Sequence, residues 1–224
     1  MKNRSLTLLA LLAANDRLGQ TAVHRTTLVK QAFLAETIRP LYRIWLQTFQ
    51  FVRYYYGPYS DDVFNRLDTL IFNGLVEVIT GERRAGQFEA RYKISEAGHN
   101  LLNLIDAPDI IELATDLIWA LQALGVEKAS TICKLVYQEA EFDRIFTQHN
   151  QEGIGPETKV PLPAITAANN ETFITLAALQ ELQHKPGADR SNSQSLPSRE
   201  VVRLFLQSLA MQVPHTHAQK RVTA

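Results

Sequence analysis

Residues 60–98 read SDDVFNRLDTLIFNGLVEVITGERRAGQFEARYKISEAG, and this stretch carries the fold. Ser60 supplies a side-chain acceptor where a helix N-cap needs one, and Asp61 and Asp62 follow in the electropositive first turn. Val63, Leu67, Leu70 and Ile71 fall at i, i+4, i+7 and i+8, which gathers them on one helix face for a core. Asn73-Gly74 is a helix stop. Residues 75–80 have the branched apolar content of a strand, 81–86 form a charged hairpin tip, and 88–94 alternate as the return strand. Ser95-Glu96-Ala97-Gly98 opens another helix.

Toward the N-terminus, residues 44–56 are aromatic and β-prone, and Gly57-Pro58 is expected to turn the chain into Ser60. A helix is expected from Thr26 or Thr27 to Glu36, with a threonine hydroxyl at its N-cap and Pro40 preventing simple continuation. Leu6, Leu8, Leu9, Leu11 and Leu12 make a first helix that is apolar nearly all round, ended by the polar stretch through Gly19. With its basic flank this segment superficially resembles a signal peptide. The apolar run is short and no small-x-small cleavage signal follows, so a core helix is the preferred reading. The order helix, helix, helix, strand, charged wing, strand, helix is that of a winged helix-turn-helix.

Beyond Ala107-Pro108 the pattern is helical. Ile110, Leu113, Ala114, Leu117, Ile118 and Leu121 repeat at helical spacing up to Gly125, and further helices are expected at 128–146, 171–183 and 198–212. Loops are expected at 150–164 and at the polar, linker-like 185–197. The fold class is therefore mainly α with a small β-hairpin wing: a winged-helix domain over 1–106 and a helical C-terminal region over 107–224. The last helix has a wide apolar face, which is covered either by folding back onto the helical core, the preferred reading, or by docking on a second copy or a partner.

The 23 basic and 23 acidic residues of the 224-residue chain cancel, which excludes a protein drawn to a polyanion by net charge alone. The balance is local: residues 1–105 hold 13 Lys/Arg and 9 Asp/Glu, whereas 106–224 hold 10 and 14. One cysteine, Cys133, excludes an internal disulfide framework and any cysteine-only zinc site. No stretch reaches the ~18 apolar residues of a membrane span, so no membrane partner and a cytoplasmic location are expected.

Within residues 24–105 the chain resembles bacterial winged-helix proteins of the YwgA-like kind and Panacea-type antitoxin domains. The residues that carry the resemblance are Leu28-Val29-Lys30-Gln31-Ala32-Phe33-Leu34, Tyr55-Tyr56-Gly57-Pro58-Tyr59-Ser60, Leu67-x-x-Leu70-x-x-x-Gly74-Leu75-Val76, and Tyr92-x-Ile94-Ser95-x-x-Gly98. The resemblance implies regulation by binding a DNA or protein partner, without catalysis.

The candidate contact residues follow from this layout. The helix over 60–73 would present Asn65, Arg66, Asp68 and Thr69, where Asn65 suits adenine and Arg66 guanine, while its three aspartates oppose phosphate. Arg83, Arg84 and Arg91 with Gln87 form a basic wing cluster suited to phosphate or to acidic protein groups, or simply a solvated hairpin tip. Arg53 and Tyr54, with Tyr55, Tyr56 and Tyr59, form an aromatic group with at least one ring expected outside. No phosphate loop, zinc-protease pair, nucleophile elbow or Cys-x-x-Cys occurs, so no enzyme, cofactor or metal is expected. Cys133 sits in an apolar-periodic stretch and reads as core; His215-Thr216-His217 alone is too few ligands for a site. Two functions remain: a DNA-binding transcriptional regulator, ranked first on fold analogy, and a protein-interaction module of antitoxin or defence-associated type. A homodimer would suit paired DNA half-sites.

Overall fold

The computed structural model describes residues 3–44, 49–54, 57–83, 87–126, 131–132, 135, 158–162 and 196–211. These are mostly helical. In chain order they form α1 (Asn3–Arg17), β1 (Val23–His24), α2 (Arg25–Ile38) running into a 3₁₀ turn (Arg39–Tyr42), β2 (Val52–Tyr54), β3 (Gly57–Tyr59) and α3 (Asp61–Phe72). There follow β4 (Val76–Arg83), β5 (Gln87–Ile94), α4 (Glu96–Leu104), α5 (Pro108–Ala123), β6 (Val160–Pro161) and α6 (Ser198–Met211). One antiparallel sheet has the order β1-β5-β4 and a second the order β3-β2-β6.

α1 is the axis of the core because its sequence is apolar on every side, and such a helix is stable only when surrounded. Leu8, Leu9 and Leu11 have no exposed surface. Its one wholly buried amide, Asn15, is satisfied by α2: Asn15 Nδ2 donates to Gln31 Oε1 at 3.0 Å, Gln31 Nε2 donates back to Asn15 Oδ1 at 3.2 Å, and Asn15 Nδ2 also reaches Leu11 O at 2.7 Å. A buried polar pair satisfied in this way fixes how the two helices register. α5 packs on α1 and α2 and also carries α6. Pro108 begins α5 as expected, yet Leu113, Ala114 and Leu117 join the same hydrophobic cluster as Leu8, Leu28 and Leu67. The helix that opens 107–224 therefore shares the core of 1–106.

α3 forms as its sequence dictates. Ser60 Oγ accepts from the Val63 N–H at 3.3 Å, Val63, Leu67 and Leu70 are buried, and Gly74 ends the helix at φ +67°. Ser95 does two tasks: its Oγ accepts from the Gly98 N–H at 3.1 Å, capping α4, and donates to Gly74 O at 2.6 Å, tying α4 to the end of α3. A side chain at Gly98 would put Cβ 2.4 Å from Leu75 O, so only glycine lets the two backbones approach this closely.

Several expectations need correction. No threonine caps α2; the N-cap is His24, extended at φ −68°, ψ 146° and without a side-chain cap bond, because β1 delivers the chain straight from its pairing with β5. Gly57-Pro58 is not a turn but lies in β3, opposite Arg53 and Tyr54 of β2, so the chain reverses before Gly57. The β4–β5 ladder runs out to Arg83 opposite Gln87, leaving only 84–86 for the tip. The expected loop 150–164 contains a strand, β6, which pairs with β2. The expected last helix is found as α6, folded back with Val202, Phe205 and Leu206 buried. Arg84, Tyr55, Tyr56, Cys133, His215, His217, the expected helix at 171–183, nearly all of the expected helix at 128–146 and nearly all of the expected loop at 185–197 lie outside the described residues. Among the described residues no helix is long and apolar enough to cross a membrane.

Candidate interaction surface

With Val63, Leu67 and Leu70 facing inward, the opposite face of α3 carries Asp61, Asn65, Asp68, Thr69 and Phe72 to solvent. The 65, 68/69, 72 spacing makes these one stripe. Phe72 is 91% exposed, the most exposed large apolar side chain among the described residues, and is not among the contact residues expected from the sequence. Its signal was present: an aromatic seven residues after Asn65, on the polar side of an otherwise clean amphipathic helix. Thr69 Oγ1 donates to Asn65 O at 2.8 Å and Asn73 Nδ2 donates to Thr69 O at 2.7 Å, so those two groups are turned back onto the helix.

Arg66 does not belong to the stripe. It is 28% exposed and its Nε lies 3.7 Å from Asp62 Oδ1, one turn earlier, while Arg4 of α1 holds Asp62 Oδ2 at 2.5 Å. Asp62 is thus matched by two cations, whereas Asp68 projects into solvent. Arg25, at the start of α2, lies over the Phe64 ring at 3.7 Å from its centroid, a stacked cation–π contact.

At the N-terminal end of α3 the tyrosines form a separate site. The Tyr54 and Tyr59 rings lie 5.3 Å apart, and Tyr59 packs edge-on against Phe64 at 5.0 Å. Tyr59 Oη donates to Asp61 Oδ1 at 2.8 Å, and Lys159 donates from Nζ to Asp61 Oδ2 at 2.8 Å. The same ammonium stands 4.6 Å from the Tyr59 ring centroid and 5.7 Å from that of Tyr54. The hydrogen bond from Lys159, then that from Tyr59, holds the Asp61 carboxyl below the usual carboxylate range. The Asp61 hydrogen bond in turn raises Lys159, and partial burial followed by the bond to Asp61 raises Tyr59. Nothing in the sequence near residue 61 announces Lys159, which is 98 positions away. Both Tyr54 and Tyr59 are half-buried, in keeping with rings whose edges reach solvent.

Register disperses the expected wing cluster. Arg83 and Gln87 face each other at the end of the ladder, and Arg91 lies opposite Ile79 on one side and His24 on the other. Arg91 lies four residue steps along β5 from Gln87, roughly 13 Å at ~3.3 Å per residue. Arg91 is exposed on the middle strand of the sheet and is no part of a tip cluster. Arg53, in the centre of the second sheet, pairs with Pro58 and with Val160. Arg53, Arg83 and Gln87 are placed by their backbone alone. Across the sheet β1-β5-β4, Lys93 pairs with Glu77 at 2.9 Å and His24 with Glu89 at 3.1 Å.

Among the described residues no three His, Cys, Asp or Glu side chains are grouped to hold a metal ion. No protein-family model matches the chain, and no curated protein matches it significantly in sequence.

Proposed function

We propose that the chain is a winged-helix interaction module, non-catalytic, whose α3 face binds a protein partner. Support for the winged-helix assignment comes from α1, β1, α2, α3, β4 and β5 following one another with only the 3₁₀ turn and the β2–β3 pair inserted between α2 and α3, and from the sheet order β1-β5-β4, with the β4–β5 hairpin as the wing. One observation carries the choice of partner: the outer stripe of α3 holds Asp68 and a 91% exposed Phe72 and no cation, the helix's one cation, Arg66, lying off the stripe beside Asp62. A major groove lined by phosphates disfavours carboxylates, whereas an exposed aromatic beside an acid suits a pocket with a basic rim on a protein. Regulation of antitoxin type fits such a module.

DNA binding is the second reading, and the β4–β5 hairpin favours it. Arg83 and Arg84 at the far end would reach phosphates while α3 lay in the groove. The experiment that separates the two compares wild type with Phe72→Ala and with Arg83→Ala/Arg84→Ala, in a pull-down from native extract and in DNA titrations on genomic fragments at two salt concentrations. The proposal expects a protein retained by wild type and lost from Phe72→Ala, with no salt-dependent DNA affinity. Tight DNA binding whose salt slope falls in the double arginine variant overturns it.

A further inference from the structure

We propose that the outer edge of β2, together with Tyr54, Tyr59 and Asp61, is a receptor for a lysine-bearing extended segment of a partner protein, and that residues 158–162 occupy it in cis. Three features define what the site accepts. The edge takes a strand: Val52 pairs with Pro161 and Arg53 with Val160, and the Leu162 N–H donates to Phe51 O at 2.9 Å. Beside that edge two tyrosine faces and one carboxylate converge on a single ammonium, which lies 4.6 and 5.7 Å from the ring centroids and 2.8 Å from Asp61. An ammonium attracted by ring faces and a carboxylate together is recognised as a cation on a flexible stem, and strand addition recognises the extended backbone that carries it.

The resident segment is held lightly. The strand is two residues long, one of them a proline without an N–H to donate, and Thr158, Lys159 and Pro161 are exposed. Its ion pair is exposed on both sides, at 43% and 62%, and exposed pairs contribute little. A two-residue strand fixed by one exposed lysine, a short ladder and the partly buried Leu162 is a displaceable occupant. A partner bringing lysine in the same extended context takes the edge by exchange, and residues 158–162 then come free.

The receptor lies at the N-terminal end of α3 and uses none of Asn65, Asp68 or Phe72, so the inference stands apart from the proposed function. Substituting Lys159→Gly, Val160→Ser, Pro161→Gly and Leu162→Ser vacates the edge at constant chain length. The probe is the peptide ETKVPLP, the sequence of residues 157–163, beside a copy with glutamine for lysine, each titrated calorimetrically. The substituted chain should bind the lysine peptide at least about tenfold more tightly than wild type, whose own strand competes at an effective concentration of order mM. The glutamine peptide, or a further Asp61→Asn substitution, should weaken binding roughly tenfold through loss of the cation contacts. No binding by the substituted chain with its far-ultraviolet circular dichroism intact, or equal binding of both peptides, overturns the proposal. Should that chain fail to fold, Lys159→Ala replaces it, and a peptide affinity no higher than wild type overturns the proposal equally. Phe72→Ala leaves the peptide bound, so the two surfaces succeed or fail separately.

Discussion

Asp68 and Leu67 are neighbours in sequence on opposite faces of α3, and their substitutions test the two faces separately. Leu67 is 1% exposed inside the core, and Leu67→Ala should lower unfolding free energy by about 2–5 kcal/mol in urea titrations through lost burial and the cavity left behind. A loss under about 0.5 kcal/mol, typical of surface positions, would contradict that packing. Asp68 lies mid-helix, where the dipole gives a carboxylate no benefit. If α3 meets a basic protein surface, Asp68→Asn weakens the protein complex and leaves DNA affinity negligible. Tighter DNA binding with an undiminished protein complex would instead place α3 against phosphate. Both affinities, measured at two salt concentrations, decide the matter.

At the level of elements, α6 is fastened by a clasp as well as by its apolar face. Asp116 of α5 is 4% exposed and receives two donors: Tyr42 Oη at 2.8 Å from the 3₁₀ turn and Arg199 Nε at 2.7 Å from α6. The Arg199 guanidinium also lies 5.0 Å from the Trp119 ring centroid. Deleting the arginine strands a buried carboxylate with one donor fewer, so Arg199→Ala should cost about 1–3 kcal/mol, the scale of a charged hydrogen bond. Hydrogen exchange should show α6 amides losing protection ahead of α1. Arg199→Lys should recover only part of the loss, because an ammonium lacks both the planar Nε donor and the stacking face. Unchanged α6 protection in Arg199→Ala would mean that Val202, Phe205 and Leu206 hold the helix unaided.

Across the whole molecule the same clasp sets an alkaline limit, because it joins α2's 3₁₀ end, α5 and α6. Burial, followed by the charge of Asp116 and the hydrogen bond to it, raises the Tyr42 hydroxyl well above its ordinary value of 10.0. A group that holds its proton more tightly in the folded chain contributes stability that is fully present below the unfolded pKa. That contribution declines as pH climbs past about 10 toward the raised folded value. Stability to urea should therefore begin to fall near pH 10, where an unfolded tyrosine titrates, and keep falling above it, and Tyr42→Phe should flatten that fall while lowering stability at neutral pH. An identical alkaline slope in both proteins would show that Tyr42 is not the group responsible. Tyr59 shifts in the same direction but is half-buried, so its share is smaller.

Local chemistry was enough to place what lies within a few residues of its own signal. The Ser60 cap, the 63/67/70 stripe, the Gly74 stop, the Ser95 cap and the Gly125 end of α5 all stand where the sequence put them. Each depends on i to i+4 contacts or on a single backbone dihedral. The all-round apolar character of α1 likewise announced its burial. The β4–β5 hairpin was legible as well, because its two strands flank their own turn, but the other pairings were beyond that horizon. A two-residue strand such as β1 or β6 has no periodicity to detect, and Gly57-Pro58 belongs to β3 only because β2 lies beside it. The surface was divided in the same way. Sequence named Asn65, Asp68 and Thr69 because a helical wheel does so, and the i, i+4 pairing of Arg66 with Asp62 is equally local, but the reach of Arg4 to Asp62 depended on where the fold set α1 against α3. The dispersal of Arg91 from Arg83 depended on strand register. Lys159 reached Asp61 across 98 residues because the tertiary fold brought β6 to the edge of β2, and no local propensity encodes a contact between segments so far apart.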